Sequence, residues 1–238
     1  MKIAIVGYGK MGKEIERIAL DRGHQVVLKI DENNINEISL DNFKDVDVAI
    51  EFSAPQSAFS NIMMLLDYKV PTVSGTTGWI DKLELVKERC EKESVTFFYA
   101  SNFSIGVNLF FKLNEHLAKM MNLYPDYNVL IEETHHTQKL DAPSGTAITL
   151  ADGLMENLET KKKWEKENSD SKDSIAIKSY REGNVPGNHK IIYESSFDKI
   201  MIEHNAKSRE GFALGAVLAA EFIKDKNGYF TMDELLKV

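Results

Sequence analysis

Hydrophobic and polar positions along the chain alternate in blocks that predict strands and helices in turn. The apolar run KIAIV at 2–6 predicts a strand. Apolar residues then recur at helical spacing, at Ile15, Ile18 and Ala19. The run HQVVLKID at 24–31 predicts the next strand. A strand, a glycine turn, a helix and a strand within about thirty residues form a βαβ unit.

The same alternation continues as far as residue 104. Further strands are predicted at 45–53, 70–78 and 95–104, with helices at 57–69 and 81–92. This order of elements predicts an α/β fold, a Rossmann-type doubly wound parallel sheet with helices on both faces.

Beyond residue 104 the pattern changes. Helices are predicted at 105–121 and 148–158, and a strand at 127–136. Apolar–polar alternation at 175–183, 189–196 and 198–206 predicts an antiparallel or mixed sheet with one exposed face, hence a second α+β domain. The charged segment 160–174 predicts a solvated loop, and 211–230 predicts a small-residue helix with an aromatic tail. We therefore place 1–103 and 209–238 in a dinucleotide-binding domain, and 104–208 in a substrate-binding and oligomerisation domain.

The composition is that of an ordinary globular protein, with 43% hydrophobic and 28% charged residues in a chain of 238. A net charge of -8 argues against nucleic acid as a partner. Cys90 is the only cysteine, which excludes an intrachain disulfide, and we expect it to be a bystander. The first residues match neither a signal peptide nor a membrane span, so we expect a cytoplasmic protein with no membrane partner.

The turn after the first strand, GYGKMG at 7–12, matches the pattern G-x-G-x-x-G. Gly7 permits the tight turn, Gly9 lets the backbone approach a pyrophosphate, and Gly12 lets the helix pack on the strand. Any tight strand–helix turn could carry similar glycines. Here a second strand ends in Asp31, whose carboxylate is placed to accept hydrogen bonds from a ribose, so the context predicts a dinucleotide site.

The residues after the second strand also bear on cofactor choice. Asp31 and Glu32 would repel the 2′-phosphate of NADPH, and Lys29 is the only cation nearby. We therefore expect NADH to be preferred, with NADPH as an alternative donor. An arginine at this point would have favoured NADPH.

The stretch HHTQKLDAPSGTA at 135–147 contains a predicted helix start. Ser144 is a good N-cap, so the N–H groups of Gly145, Thr146 and Ala147 should point out of the helix unpaired. With the helix dipole they would form an anion site. A plain capped helix is the alternative interpretation.

Titratable groups precede this helix start. Lys139 offers a positive charge to a carboxylate, and a histidine of near-neutral pKa is a plausible proton donor. His135 and His136 end a strand, so their side chains should face opposite ways. Histidines are more often structural than catalytic. We expect no metal, because Cys90 is remote and no third ligand lies at a familiar spacing.

Together these residues resemble a known family. EETHHTQKLDAPSGTA at 132–147 is similar to the signature of the 4-hydroxy-tetrahydrodipicolinate reductases of bacterial lysine biosynthesis. Further matching segments are SGTTGW (74–79), ASNFSIGVN (100–108), REGNVPGNH (181–189) and HNAKSREGFALGA (204–216). The chain departs from many members in a glycine turn one residue shorter, and in Glu32, where an arginine is common.

The resemblance implies reduction of a cyclic imine dicarboxylate by NADH or NADPH, giving tetrahydrodipicolinate. It assigns His135 as proton donor and Lys139 as an assisting donor and carboxylate partner. Substrate contacts are expected from His136, Lys139, Ser144, Gly145 and Thr146. Arg209 ranks low, and His189 and His204 are interpreted as structural.

The same resemblance supplies the remaining cofactor contacts and the assembly. The expected cofactor-binding residues are Gly7, Tyr8, Gly9, Lys10, Met11, Gly12, Asp31, Gly75, Thr76, Thr77, Ala100, Ser101, Asn102 and Phe103. The expected assembly is a homotetramer that uses the strands at 174–206.

Two other functions fit part of the pattern. Another NAD-dependent amino-acid dehydrogenase, acting on aspartate or homoserine, would explain GYGKMG and Asp31 but not the coupling of the histidines with Lys139 and the helix start. A catalytically silent NAD-binding sensor would keep only the first domain's role. An intact His135 and Lys139 argue against it.

Overall fold

A computed structural model of the chain describes residues 1–167 and 171–237. Its strands, in chain order, are β1 (Lys2–Val6), β2 (Gln25–Ile30), β3 (Val48–Glu51), β4 (Thr72–Ser74), β5 (Thr96–Tyr99), β6 (Asn128–His135), β7 (Lys163–Lys166), β8 (Ser174–Arg181), β9 (Gly187–Glu194), β10 (Lys199–Ala206) and β11 (Gly228–Phe230). Its α-helices are α1 (Lys10–Asp21), α2 (Pro55–Asp67), α3 (Leu83–Glu93), α4 (Ile105–Met121), α5 (Gly145–Asn157), α6 (Glu210–Ile223) and α7 (Met232–Leu236). The chain divides into two compact units, Met1–Ile105 with the described residues from Glu210 onward, and Gly106–Arg209.

The first unit is built on a parallel six-stranded sheet of order β11-β5-β4-β3-β1-β2. Strands β3, β4 and β5 are buried at every position, as expected when helices cover both faces of a parallel sheet. The predicted doubly wound sheet is therefore confirmed. Its strand order reverses between β1 and β3, and ligands of such sheets bind at the carboxyl ends of the strands beside that point.

The C-terminal part of the first unit extends this sheet. The aromatic tail predicted after α6 is instead a strand, because Gly228–Phe230 form β11 and pair with β5. The short helix α7 follows it. Helix α6 packs on the same core so closely that a Cβ at Gly215 would lie 1.7 Å from the carbonyl oxygen of Phe103. Only glycine fits at that contact.

The second unit carries a five-stranded mixed sheet of order β10-β9-β6-β8-β7. Strand β9 runs antiparallel to both of its neighbours, β10 and β6, whereas β6, β8 and β7 run parallel to one another. The mixed sheet is thus confirmed. Burial alternates strictly along β6, so one face packs against α5 through Leu150 and Leu154.

The predicted loop at 160–174 is wrong where it includes Lys163–Lys166 and, at its end, Ser174, which begins β8. Lys163–Lys166 form β7, which pairs with β8. Lys161 is 5% exposed, and its Nζ donates to Asn128 Oδ1 at 3.0 Å, Lys172 O at 3.0 Å and Ser174 O at 2.8 Å. A buried ammonium is tolerated here because oxygens surround it. Residues 168–170 of the predicted loop lie outside the described residues.

Two smaller findings concern features named from the sequence. Within the described ranges, no helix is both long and apolar enough to cross a bilayer. Cys90 is buried in α3, and burial raises the pKa of its thiol to about 11. A thiol with so high a pKa is a poor nucleophile at neutral pH, which fits a bystander.

Candidate functional site

The glycine turn between β1 and α1 is dictated by close packing at two of its three glycines. Gly7 has φ +98°, and a Cβ there would lie 2.1 Å from the carbonyl oxygen of Phe52. A Cβ at Gly12 would lie 2.5 Å from the carbonyl oxygen of Gly7. These two positions therefore require glycine even before a ligand is considered.

The middle glycine is different, because nothing in the protein crowds it. A Cβ at Gly9 would meet no atom within 4 Å. Gly9 is the N-cap of α1 and supplies no side-chain cap. The first intrahelical bond runs from the Lys13 N–H to Gly9 O at 3.1 Å, which leaves the amides of Lys10, Met11 and Gly12 without helical partners. An open backbone with free amides at a helix start suits a pyrophosphate.

A cleft of about 650 Å³ opens at this turn, within the ~300–1,000 Å³ range of ligand pockets. We call it the dinucleotide cleft. Its lining includes Gly7, Tyr8, Gly9 and Asp31, all expected from the sequence. Further lining residues, which sequence reasoning missed, are Phe52, Ser53, Ala54, Ser57, Ser60 and Asn61. They follow β3, on the far side of the point where the strand order reverses, so the topology rule for parallel sheets would have indicated them.

Acidic groups dominate the end of the dinucleotide cleft formed after β2. Asp31 and Glu32 both line it, and Asp31 Oδ1 accepts from the Asn33 N–H at 2.8 Å. The nearby cation, Lys29, is engaged elsewhere, since its Nζ lies 2.5 Å from Glu16 Oε1. The hydrogen bonds from Lys29 and Tyr8 lower the pKa of Glu16, so this pair stays ionised.

The predicted residues after β4 surround a buried carboxylate that the sequence did not reveal. Glu51, at the end of β3, is 0% exposed. It accepts hydrogen bonds from the hydroxyls of Ser74 at 2.6 Å and Thr76 at 2.9 Å, and from the amide and hydroxyl of Ser53. The Thr76 hydroxyl is therefore committed inside the protein. Gly75 is needed for packing, since its Cβ would lie 2.2 Å from the ring of Phe52.

The predicted segment Ala100 to Phe103 is partly core. Phe103 is 2% exposed, and its ring centroid lies 5.5 Å from Phe52 and 5.8 Å from Phe98. Ala100 is also buried, whereas Ser101 is exposed. Thr77 is exposed as well, and Lys10, Met11 and Gly12 lie in the first turn of α1. A cofactor contact for these residues stays a prediction.

In the second unit, His135 lies at the end of β6 beside a buried carboxylate. The Nδ1 atom of His135 is 3.3 Å from Glu133 Oε2, and His135 as a whole is 7% exposed. A methyl group at Gly187 would lie 3.2 Å from His135 Nε2, so this nitrogen lies close to the backbone of Gly187. The two nitrogens of His135 thus face different surroundings, one a carboxylate and the other a bare backbone.

Arg181 and His189 complete a group around Glu133 that we call the histidine cluster (Glu133, His135, Arg181, His189). Arg181 Nη2 donates to Glu133 Oε1 at 3.2 Å, and His189 Nε2 lies 3.7 Å from Glu133 Oε2. The rings of His135 and His189 have centroids 5.0 Å apart. Burial and the neighbouring His135 lower the pKa of His189 to about 3, which keeps its imidazole neutral at physiological pH.

Strand register explains why these residues meet. Glu133 and His135 are two apart on β6 and so share a face. In the sheet Glu133 is paired with His189 on β9, and His135 with Arg181 on β8. Sequence reasoning missed Glu133 and Arg181, and it interpreted His189 as structural. Period-two alternation would have found Glu133, whereas the other two depend on non-local pairing.

Lys139 lies beyond β6 with an acidic partner. Its Nζ donates to both carboxylate oxygens of Asp141, at 2.8 and 2.7 Å, and these bonds lower the pKa of Asp141. His136 is half-buried, and its Nε2 lies 3.4 Å from Arg209 Nη2. The structure therefore brings Arg209, ranked low from the sequence, against a predicted substrate residue.

The start of α5 follows the prediction with one correction. Ser144 is the N-cap, and its hydroxyl accepts from the Ala147 N–H at 3.2 Å. The expectation that the Ala147 amide is unpaired is therefore wrong, because the cap takes it. The amides of Gly145 and Thr146 precede that bond, and Gly145 is exposed with no atom within 4 Å of a Cβ. Ser144 itself is 2% exposed and donates its amide to Glu133.

The histidine cluster also changes the argument about metals. Ligand atoms of Glu133, His135 and His189 lie within 4.8 Å of one another, so the fold brings together three candidate ligands that familiar sequence spacings did not indicate. However, the guanidinium of Arg181 already lies 3.2 Å from the same carboxylate. A divalent cation there would be repelled by this charge. The absence of a metal stays a prediction.

Comparison with known proteins places both units in one group. The family profile described as "Dihydrodipicolinate reductase, N-terminus" matches residues 1–103, and that described as "Dihydrodipicolinate reductase, C-terminus" matches 106–236. The 4-hydroxy-tetrahydrodipicolinate reductase of Christiangramia forsetii is 54% identical over 236 residues, covering 99% of this chain and 98% of the relative. That of Staphylococcus haemolyticus is 33% identical over 99% of this chain and 100% of its own length.

Among solved structures, a dipicolinate-bound dihydrodipicolinate reductase from Paenisporosarcina sp. TG-14 superposes with a TM-score of 0.77. The match covers 98% of each chain at 23% identity, which establishes the shared fold.

Proposed function

This chain belongs to the dihydrodipicolinate reductase family, and from that premise we propose how its residues carry out the reaction. Its members are NAD(P)H-dependent oxidoreductases of the diaminopimelate and lysine route, which reduce 4-hydroxy-tetrahydrodipicolinate to tetrahydrodipicolinate. The dehydrogenase and sensor alternatives are set aside by matches that cover both units. The observation that carries the site assignment is that β6 ends at His135 and is followed closely by Lys139 and the open helix start at Gly145.

The residues of the dinucleotide cleft fit a nicotinamide dinucleotide. Gly9 leaves open space above free amides, where a pyrophosphate would bind, and Asp31 accepts from a ribose hydroxyl. When bound, this cofactor supplies the hydride. We assign its other contacts to Gly75–Thr77 and Ala100–Phe103, with Thr76 and Phe103 acting through their backbones, because the side chains of both are buried.

The substrate is a small dicarboxylate that needs two separated positive sites. The amides of Gly145 and Thr146, with the Thr146 hydroxyl, hold one carboxylate. Lys139 holds the other, and there the substrate replaces Asp141 as the partner of the ammonium. His136 adds a contact beside Arg209, and Ser144 shapes the turn. The dipicolinate bound to the Paenisporosarcina enzyme supports this substrate class.

His135 is the proton donor of the reduction. Its Nδ1 faces Glu133, which leaves Nε2, next to the bare backbone of Gly187, to deliver the proton. A proton delivered as hydride arrives lowers the barrier, since negative charge never builds up on the substrate. Lys139 assists as a second donor while it binds the carboxylate.

Oxidation of NADH by the purified chain tests this function. With 4-hydroxy-tetrahydrodipicolinate formed in situ by a synthase, absorbance at the NADH band should fall, and it should stay constant with oxaloacetate and ammonia. Loss of absorbance only with the latter pair would instead indicate an aspartate dehydrogenase.

The same assay tests cofactor choice. We expect kcat/KM to be at least about tenfold higher with NADH than with NADPH, because Asp31 and Glu32 face the 2′ position and Lys29 is neutralised by Glu16. Glu32→Arg should narrow the difference. A wild-type enzyme that used NADPH more efficiently would contradict the assignment.

Substitution of Gly145 tests the anion site. Gly145→Ala should raise the Kd of dipicolinate about tenfold, because the methyl group would enter the space in front of the free amides. Tm should not fall, since alanine favours the helix more than glycine does. Unchanged dipicolinate affinity, measured by calorimetry, would place the carboxylate elsewhere.

We also propose a cytoplasmic homotetramer joined through the strands at 174–206. Exposed apolar side chains on these strands, Tyr180, Ile200 and Met201, support the interface.

A further inference from the structure

Glu133 is a fully buried carboxylate for which the proposed mechanism has no role. It is 0% exposed and lies on the central strand of the second sheet. A carboxylate is rarely buried unless it is paired and hydrogen-bonded. The groups around Glu133 should therefore show what stabilises its buried charge.

The two oxygens of Glu133 face different partners. Oε1 accepts from Arg181 Nη2 at 3.2 Å, whereas Oε2 lies 3.3 Å from His135 Nδ1. The backbone amide of Ser144 bridges both oxygens at 3.0 and 3.2 Å. One oxygen is thus held by a permanent cation and the amide, which leaves the other directed at His135.

Arg181 places a fixed positive charge against Oε1 of this carboxylate. Its Nη2 also donates to the carbonyl oxygen of Asp141 at 2.6 Å, and its Nη1 to that of Tyr180 at 2.7 Å, so the guanidinium is fixed in place. Burial opposes ionisation of Glu133, but the close contact with His135 and the hydrogen bonds from Ser144 and Ser179 outweigh it and hold its pKa well below the usual range.

His189 shares Oε2 without competing for the proton. It lies 3.7 Å from Glu133 Oε2, and its ring stays neutral because it is buried next to His135. Other titratable groups near the histidine cluster include Lys139 and Asp141, which pair with each other, and His204, whose pKa is lowered by burial. Of the two histidines in the cluster, His135 has the ring nitrogen closer to the carboxylate, at 3.3 Å from Glu133 Oε2 against 3.7 Å for His189.

We propose that Glu133 is a positioning residue, which orients His135 and holds its proton on Nδ1 so that Nε2 delivers the catalytic proton. The role of His135 as donor rests on the proposed function. The pairing itself does not, because it follows from the sheet register and the distances.

The pH profile of kcat/KM tests the proposal. A general acid must be protonated, so activity falls as pH rises through its pKa. Glu133→Gln removes the negative charge and should move this alkaline limb about one unit to lower pH, with a loss of about tenfold or more in kcat. Glu133→Asp keeps the charge and should leave the limb close to that of the wild type. A loss of Tm or kcat in Glu133→Gln with the limb unmoved would show a merely structural role and overturn the proposal.

Nitrogen-15 NMR of the wild-type protein tests the pairing without any folding risk. In the neutral state the His135 signals should show the proton on Nδ1, with assignment from their disappearance in His135→Gln. A proton on Nε2 would overturn the proposal. This result is independent of turnover, so an inactive enzyme with the Nδ1 tautomer would reject the proposed function and keep the pairing. We also expect EDTA to leave the activity unchanged, because the Arg181 guanidinium, rather than a metal ion, lies against the Glu133 carboxylate.

Discussion

Replacement of His135 by glutamine is expected to lower kcat by about a thousandfold, the middle of the range for general acid catalysis. Glutamine is close in volume and keeps polar contact with Glu133, but it cannot donate a proton at neutral pH. The Kd for NADH should stay within about twofold of the wild-type value, because His135 belongs to the second unit and the dinucleotide cleft to the first. Stopped-flow kinetics would give the rate and fluorescence titration the affinity.

A matched control separates this effect from any general response to losing a histidine. His116 is exposed on α4, in the same unit, and His116→Gln should leave kcat unchanged. If His135→Gln retained the wild-type rate at every pH, the proton would have another source, with Lys139 the first to test.

The framework of the fold was predictable because its strands and helices each have a characteristic local pattern of hydrophobic residues. Buried parallel strands appear as continuous apolar runs, and helices show a 3.6-residue spacing, so both sheets could be expected. The exceptions are short. β11 has three residues and β7 has four, and runs of that length are too brief to show a period. β7 is also charged, and its pairing with β8 decides its structure more than its composition does.

The candidate site was predictable only where it is contiguous in sequence. His135, Lys139 and the Ser144 cap lie within one short stretch, so a motif could indicate them. Arg181 and His189 reach Glu133 through the register of β8 and β9, and one residue of slip would turn each side chain to the opposite face. No local pattern encodes that register, which is why the positions of Arg181 and His189 beside the proposed proton donor emerged from the structure alone.

The G-x-G-x-x-G motif does not distinguish a glycine that packing requires from one that a ligand requires. Alanine substitutions in the glycine turn would measure this difference. Gly9→Ala should fold with a Tm within about 2 °C of the wild type, yet bind NADH at least about tenfold more weakly. Its new methyl group meets no protein atom and would occupy the space in front of the free amides of α1. Differential scanning calorimetry and fluorescence titration would measure the two quantities on one sample.

Gly7→Ala, in contrast, should lower stability, by about 3 kcal/mol or more in the free energy of unfolding of the first unit. Its backbone has a left-handed φ of +98°, and its new Cβ would lie 2.1 Å from the Phe52 carbonyl oxygen. Gly23 separates the two causes, because it has φ +80° and open space around a Cβ. Gly23→Ala should therefore cost only about 1 kcal/mol, the part due to backbone conformation. If Gly9→Ala bound NADH as tightly as the wild type, the pyrophosphate would not lie against this turn. Gly7 and Gly12 would then serve the packing of the turn rather than cofactor binding.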